Sequence, residues 1–527
     1  MSRMRRVLFF IAIAAFAASS GDTDGKRWWS HVEYLASDRM AGRATGSSQY
    51  MEASRYVAEQ FAALHLAPAW TSGFYQTVPF RVKTIDESHS SLAIVRGSET
   101  LPLNLGPDAA FLLIGDCAPA TKAPAVFAGY GLRVPVANYD DFSGLDLKGK
   151  IVVYLQGAPH SISGPLAAHS QSVAVRWQQL RNAGAVGMAV IPNPDSSDIP
   201  WARATLSRLM PAMSLDDPAL ADESGLRVAF RLNPASADKL LEGSGHTFAE
   251  ILAAARSGSP LPHFNLPGEI DAKLAVTRGS LRSPNVAAVL PGSDAKLKNE
   301  YVVFSAHLDH VGVGAPIDGD SIYNGAMDNA SGVASVLEVA RKIASLNTKP
   351  KRSILFLAVC GEEKGELGSK YFAAHPSVPA NAIAADVNVD MFLPLYPLKA
   401  LEVQGLDEST LGADVRAVGQ AMHIGILADQ QPQRNRFIRS DQYSFVQHGV
   451  PAVAFKFAAL PGSDEARIQK EWLTKRYHAP SDDTSQPVDL AAAARFNDFI
   501  ASLLERVAGD AARPAWNADS FFARFAR

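Results

Sequence analysis

Cysteine is almost absent: Cys117 and Cys360 are the only two in 527 residues, so neither a disulfide scaffold nor a thiolate zinc site can hold this chain together. Its stability must come from packing, and any bound metal must be held by histidine and carboxylate. An excess of one charge is lacking too. With a formal net charge of −3, the chain has no electrostatic footprint of a nucleic-acid binder. Beyond Ser20 no run is long and apolar enough to cross a bilayer. No internal repeat and no long low-complexity tract interrupts the chain.

What is present starts with Arg3, Arg5 and Arg6, an apolar run from Val7 to Ala18, and small residues ending near Ser20. That order is a secretory signal peptide over residues 1–20, with export to the periplasm or the medium as the expectation and no stable membrane span after its removal. The remaining length calls for two or three domains. Trp28 to Leu35 and Tyr50 to Leu66 have helical spacing, with polar, glycine-containing Ser37 to Ser48 as a loop between them. From Pro124 to about Pro284 the chain turns to short β-rich pieces, including Ala125 to Ala128, Gly149 to Leu155 and Gly187 to Ile191, with a helix near Val173 to Asn182. This region carries no catalytic constellation and is expected to be an inserted domain over residues 124–284, after an N-terminal part over 21–123.

Residues 285–510 alternate strand and helix. Tyr301 to Ser305, Ser353 to Val359, Ala384 to Val389 and Pro451 to Phe457 are near-continuous apolar runs, as parallel strands covered on both faces require. Val333, Val336, Leu337, Ala340 and Ile343 mark one helical face, and Leu490 to Val507 a closing helix. The expectation is an α/β three-layer sandwich with a mixed, mainly parallel central sheet, followed by an extension over residues 511–527.

Chemistry-bearing residues fall just past those strands. His307 and Asp309 follow the first, Glu362 and Glu363 the second, and Asp390 the third; Asp328 precedes a helix, and His478 lies in a later loop. Open α/β sheets bind ligands outside the carboxyl ends of their strands, so these residues can converge. Imidazole and carboxylate suit zinc. Five such ligands serve two ions when one carboxylate bridges: His307, Asp328 and Asp390 for one, Asp328, Glu363 and His478 for the other. Glu362, beside a ligand without being one, suits a general base, and Asp309 suits a partner that fixes the His307 tautomer. Each piece alone is weak; their coincidence at successive strand ends is not. His310 is left outside the ligand set because the site is complete without it, and Cys360 is read as a small buried residue.

The pieces SAHLDHVG (Ser305 to Gly312), NGAMDNASG (Asn324 to Gly332), CGEEKGELGS (Cys360 to Ser369), NVDM (Asn388 to Met391) and YHAPSDD (Tyr477 to Asp483) resemble the di-zinc aminopeptidase family that includes secreted bacterial leucine aminopeptidases and glutamate carboxypeptidase. That resemblance implies two zinc ions on the same five ligands, Glu362 as the base, and a cis peptide after Asp328. AVFAGYGL (Ala125 to Leu132), YDDFSGLDLKGKIVVYLQG (Tyr139 to Gly157) and LRNAGAVGMAVI (Leu180 to Ile191) resemble a protease-associated domain.

The leading expectation is therefore an exported zinc metallopeptidase acting on peptides with a free amino terminus. Carboxypeptidase action remains open, because Arg434, Arg436, Arg439 and Arg476 lie in loops able to approach the site. A glutaminyl cyclase works with one metal and does not need both His307 and Asp390. A non-catalytic binding relative would be expected to lose ligands or Glu362, and none is missing here.

Overall fold

The computed structural model describes residues 23–162, 164–197 and 199–526; the expected signal peptide falls outside them. The described chain forms two compact units. The first is built from residues up to Val78, Arg282–Gln430 and Arg439–Arg527, the second from Pro79–Leu281 and Gln431–Ile438.

The first unit is organised around a mixed sheet. Seven of its ten strands are β1 (Val276–Leu290, in this unit from Arg282 onward), β2 (Tyr301–His307), β3 (Ser353–Val359), β4 (Ile383–Asn388), β5 (Ala400–Gln404), β6 (Gly425–Ala428) and β7 (Ala452–Phe457). In space they run β1, β3, β2, β4, β7, β5, β6. The central strands β3, β2, β4 and β7 are mutually parallel, while β1 and β5 join antiparallel. Every residue of β3 is buried, which is why its sequence shows no alternation.

Helices cover both faces. On one lie Phe372 of the helix Leu367–Ala374 and Phe445 of Gln442–Gln447, packed with Val303, Leu355 and Leu357. On the other lie Ser48–Ala63, Ser331–Ala344 and Leu490–Gly509, where Phe61 meets Phe356 and Phe499 meets Phe455. Helix, sheet and helix thus make the three layers. Residues after Asp510 dock back onto this unit: Trp516 donates to the Gly449 carbonyl at 2.9 Å and Phe522 is buried.

Register sets the functional end of the sheet. His307 lies opposite Val359, and Ser305 opposite Asn388, so β2, β3 and β4 finish nearly level. Whatever follows Val359 and Asn388 within a few residues must meet His307.

The second unit carries an eight-stranded sheet in the order Glu99–Pro102, Ser91–Arg96, His263–Lys273, Ala120–Ala128, Ile151–Leu155, Gly187–Ile191, Val228–Leu232, Ala109–Phe111. One face packs Phe127, Val153, Phe230 and Ile251, the other Val152, Trp177 and Leu180. This unit begins well before the expected boundary at Pro124. Ser91–Arg96 and Ala120–Ala128 pair on either side of His263–Lys273, and such long-range pairing leaves no mark on local composition. No helix among the described residues is long and apolar enough to cross a membrane.

Candidate metal centre

Two turns carry the ligand-type residues into place. Immediately after β2 the chain bends through His307, Leu308, Asp309 and His310, all fully buried or nearly so. The second turn is Asn324 to Asp328, which leads into the helix Ser331–Ala344. There Gly325 sits at φ 62°, and a Cβ on it would come 2.4 Å from the His310 ring, so both backbone shape and close approach demand glycine. The Asp328–Asn329 peptide is cis, as the resemblance implied.

The five expected ligands come together. His307 Nε2 lies 3.3 Å from Asp328 Oδ1 and 3.4 Å from Asp390 Oδ1. The other oxygen, Asp328 Oδ2, lies 3.2 Å from His478 Nε2, which is also 3.2 Å from Glu363 Oε2. Asp328 therefore turns one oxygen to each half of the centre, as a bridging carboxylate must. Glu362 Oε2 stands 3.9 Å from His307 Nε2, beside the ligand groups.

His310 is also in the centre, against the expectation. Its Nδ1 is 2.7 Å from Glu363 Oε1 and 3.8 Å from Asp328 Oδ2, and His307, Asp328, Asp390 and His310, Asp328, Glu363 form two triads compact enough for a metal ion. Sequence spacing hid this because the five-residue set was already complete. The only signal was its place three residues after His307 in the same turn.

Asp309 meets the far nitrogen of His307 through its backbone. The His307 Nδ1 sits 3.1 Å from the Asp309 backbone carbonyl, so that peptide oxygen, rather than the carboxylate, fixes the tautomer and leaves Nε2 free to ligate. The Asp309 carboxylate instead accepts the amide of Glu362 at 3.1 Å, that of Glu363 at 3.4 Å and the Thr45 hydroxyl at 2.8 Å. Thr45 Oγ1 in turn accepts the Gly361 amide at 3.0 Å. A buried carboxylate thus ties the Gly361 to Glu363 turn to the β2 end.

Two further buried groups hold the Asn324 to Asp328 turn, and neither stands out in the sequence. Asp482 accepts the amides of Met327 at 2.9 Å and Asp328 at 3.0 Å and the side chain of Gln486 at 2.6 Å. Arg43, fully buried, donates to the carbonyls of Leu35, Leu308, Asn324 and Gly325. Of the loop arginines, Arg476 donates to the Ser481 carbonyl, and Arg434 and Arg436 belong to the second unit.

The charges ask for a cation. Asp328, Glu363, Asp390, Glu362 and Asp309 crowd around three imidazoles. Burial pushes the Glu362 carboxyl well above its usual range, with Asp390 and Glu363 adding to this and His307 opposing it. His478 is held up to about 10 against its burial by Glu363 and Asp328. His310 Nδ1 and Glu363 Oε1 lie 2.7 Å apart without the alignment of a hydrogen bond, and His310 Nε2 is buried without a partner. Orphaned donors converging on one point fit a divalent ion with nitrogen and oxygen ligands.

Residues 285–504 match Peptidase family M28. A stretch of 106 residues, 20% of this chain and 22% of the other, is 40% identical to a probable zinc metalloprotease of Pyrenophora teres f. teres (strain 0-1). Another of 183 residues, 34% of each chain, is 28% identical to carboxypeptidase Q of Xenopus laevis. The aligned stretches thus span 22% and 34% of the length of these curated relatives. Over 93% of this chain and 94% of the other, the fold matches the aminopeptidase from Aneurinibacillus sp. strain AM-1 at TM-score 0.55 and 21% identity. The β2 to β7 region with its converging strand ends lies within the residues that match Peptidase family M28.

Proposed function

We propose that this protein is an exported zinc metallopeptidase that removes residues from the amino terminus of peptides. The observation that carries the reading is the division of the Asp328 carboxylate, one oxygen toward His307 and the other toward His478, with Glu362 beside them. His307, Asp328 and Asp390 would hold one zinc ion, and Asp328, Glu363 and His478 the other, with His310 close to the second. When bound, such a pair supplies Lewis acidity that polarises a carbonyl and lowers the pKa of water.

The chain's own groups then do the following. Glu362 accepts a proton from the attacking water and passes it to the departing amide nitrogen; a carboxyl pushed up by burial is suited to holding that proton in between. Asp309 holds Glu362 at its place through the turn amides, and the Asp309 carbonyl keeps His307 in the ligating tautomer. Export rests on the basic and apolar start of the chain, and the reading of the second unit as a protease-associated domain on the likeness of its glycine-containing strands.

The test is a peptide set offered to the zinc-loaded protein with free ends, an acetylated amino terminus or an amidated carboxyl terminus, beside a chelator control. Loss of cleavage on acetylation alone is the expected result. Loss on amidation instead assigns a carboxypeptidase, and no cleavage of any peptide removes the enzymatic reading.

A further inference from the structure

A buried guanidinium has given up strong hydration and needs a partner for its N–H groups. In the first unit this rule is kept. Arg43 spends its nitrogens on the four carbonyls already named, and Arg352 is placed against Glu300 and the carbonyls of Val507, Asp510 and Ala511.

Arg176 in the second unit breaks it. The residue is 4% exposed. Its Nη1 donates to the Gln171 carbonyl at 3.0 Å, and the flat face of the guanidinium lies over the Tyr154 ring at 4.3 Å. Its Nε and Nη2 are buried and make no hydrogen bond, and no carboxylate among the described residues pairs with it. With one face stacked and one edge used, what remains is the Nε–Nη2 edge, the fork that grips two oxygens of an anion.

A second unsatisfied donor lies at the same helix end. Ser172 is the residue before the helix Val173–Asn182; its side chain makes no capping bond, and its Oγ is buried without a partner. Arg176 Nη1 is bonded to the carbonyl of Gln171, the residue next to Ser172 in the chain. First-turn amides have no acceptor within a helix, and the dipole there favours negative charge. No acidic side chain occupies that turn.

We propose that Ser172, the first-turn amides and the free edge of Arg176 form a binding site for a small oxyanion of the phosphate or sulfate type. The anion neutralises the buried guanidinium and accepts from the hydroxyl and the helix end together. The site lies within the second unit and does not depend on the peptidase reading.

The full-length protein is titrated with sodium sulfate and with sodium phosphate at constant ionic strength, by calorimetry and by thermal unfolding, with sodium chloride as the control. Saturable binding and a raised unfolding temperature are expected for both oxyanions. Arg176→Met should weaken binding about tenfold or more and Ser172→Ala by a smaller factor, while Asp390→Asn, which disrupts the metal centre, should leave it unchanged. Absence of saturable binding overturns the proposal, as does binding that survives Arg176→Met and disappears in Asp390→Asn, because the anion then sits at the metal centre. If Arg176→Met does not fold, Ser172→Ala carries the same comparison.

Discussion

Both units contain parallel strands that run into loops, and the loops differ in kind. In the first unit β2 runs into His307, Asp309 and His310, β3 into Glu362 and Glu363, and β4 into Asp390. In the second, Ile151–Leu155 runs into Gln156 and Gly187–Ile191 into Pro192. Buried acids occur in the second unit as well, but each is satisfied locally. Asp108 accepts from Lys239, Ser236 and the Asn104 amide, and Asp141 from the amides of Tyr130 and Leu132 and the Tyr139 hydroxyl. The lesson is that a sheet with level strand ends provides a place, and only uncompensated groups at that place make a functional site.

The comparison breaks most severely at the shared carboxylate. Asp328→Asn should lower peptidase turnover by about 10³-fold or more, since several kcal/mol of charge stabilisation are lost, and metal analysis should find less zinc per chain. Turnover close to that of the parent protein would remove Asp328 from the centre. Glu362→Gln should cost about 10²- to 10⁴-fold in kcat with zinc content unchanged, which separates proton transfer from metal binding.

Next in size is Arg43→Met, which leaves buried carbonyls of Leu35, Leu308, Asn324 and Gly325 without their donor. Urea unfolding should show a loss of about 3 kcal/mol or more; an unchanged midpoint would mean that the turn holds itself. Smallest is Asp108→Asn in the second unit. Although burial raises the Asp108 carboxyl, Lys239, Ser236 and Asn104 together bring it down to about 2. A depressed carboxyl contributes stability above its unfolded pKa of about 3.9 that is lost as pH falls through the folded value. After solvent screening the contribution is roughly 1 kcal/mol, so the variant should be slightly less stable near neutrality and show a flatter stability profile between about pH 4 and 2.

Much of the first unit could be read from residues alone. A strand buried on both faces needs apolar residues at most positions, and β2, β3 and β4 have them apart from Ser305, His307, Ser353, Asp386 and Asn388; residues 301–307, 353–359 and 383–388 therefore announce themselves. The expected ligands were visible because each closely follows such a run, precedes a helix or lies in a marked loop. What stayed hidden depends on tertiary pairing. The start of the second unit at Pro79 is set by strands that pair across more than a hundred residues, as Leu92 does with Ala272. Arg43 and Asp482 bond to backbone, and a side chain that serves backbone atoms leaves no spacing pattern. His310 was visible but discounted, because the ligand count was already filled. That Asp309 meets His307 through its backbone carbonyl, leaving the carboxylate for the Glu362 and Glu363 amides, is a matter of backbone geometry that spacing does not show.

The most direct test of the central claim is a titration of metal-free protein with zinc, following peptide hydrolysis and bound metal together. The account predicts no hydrolysis without metal and a plateau of activity at two zinc ions per chain. Hydrolysis by the metal-free protein, or metal that binds elsewhere and restores nothing, would contradict it.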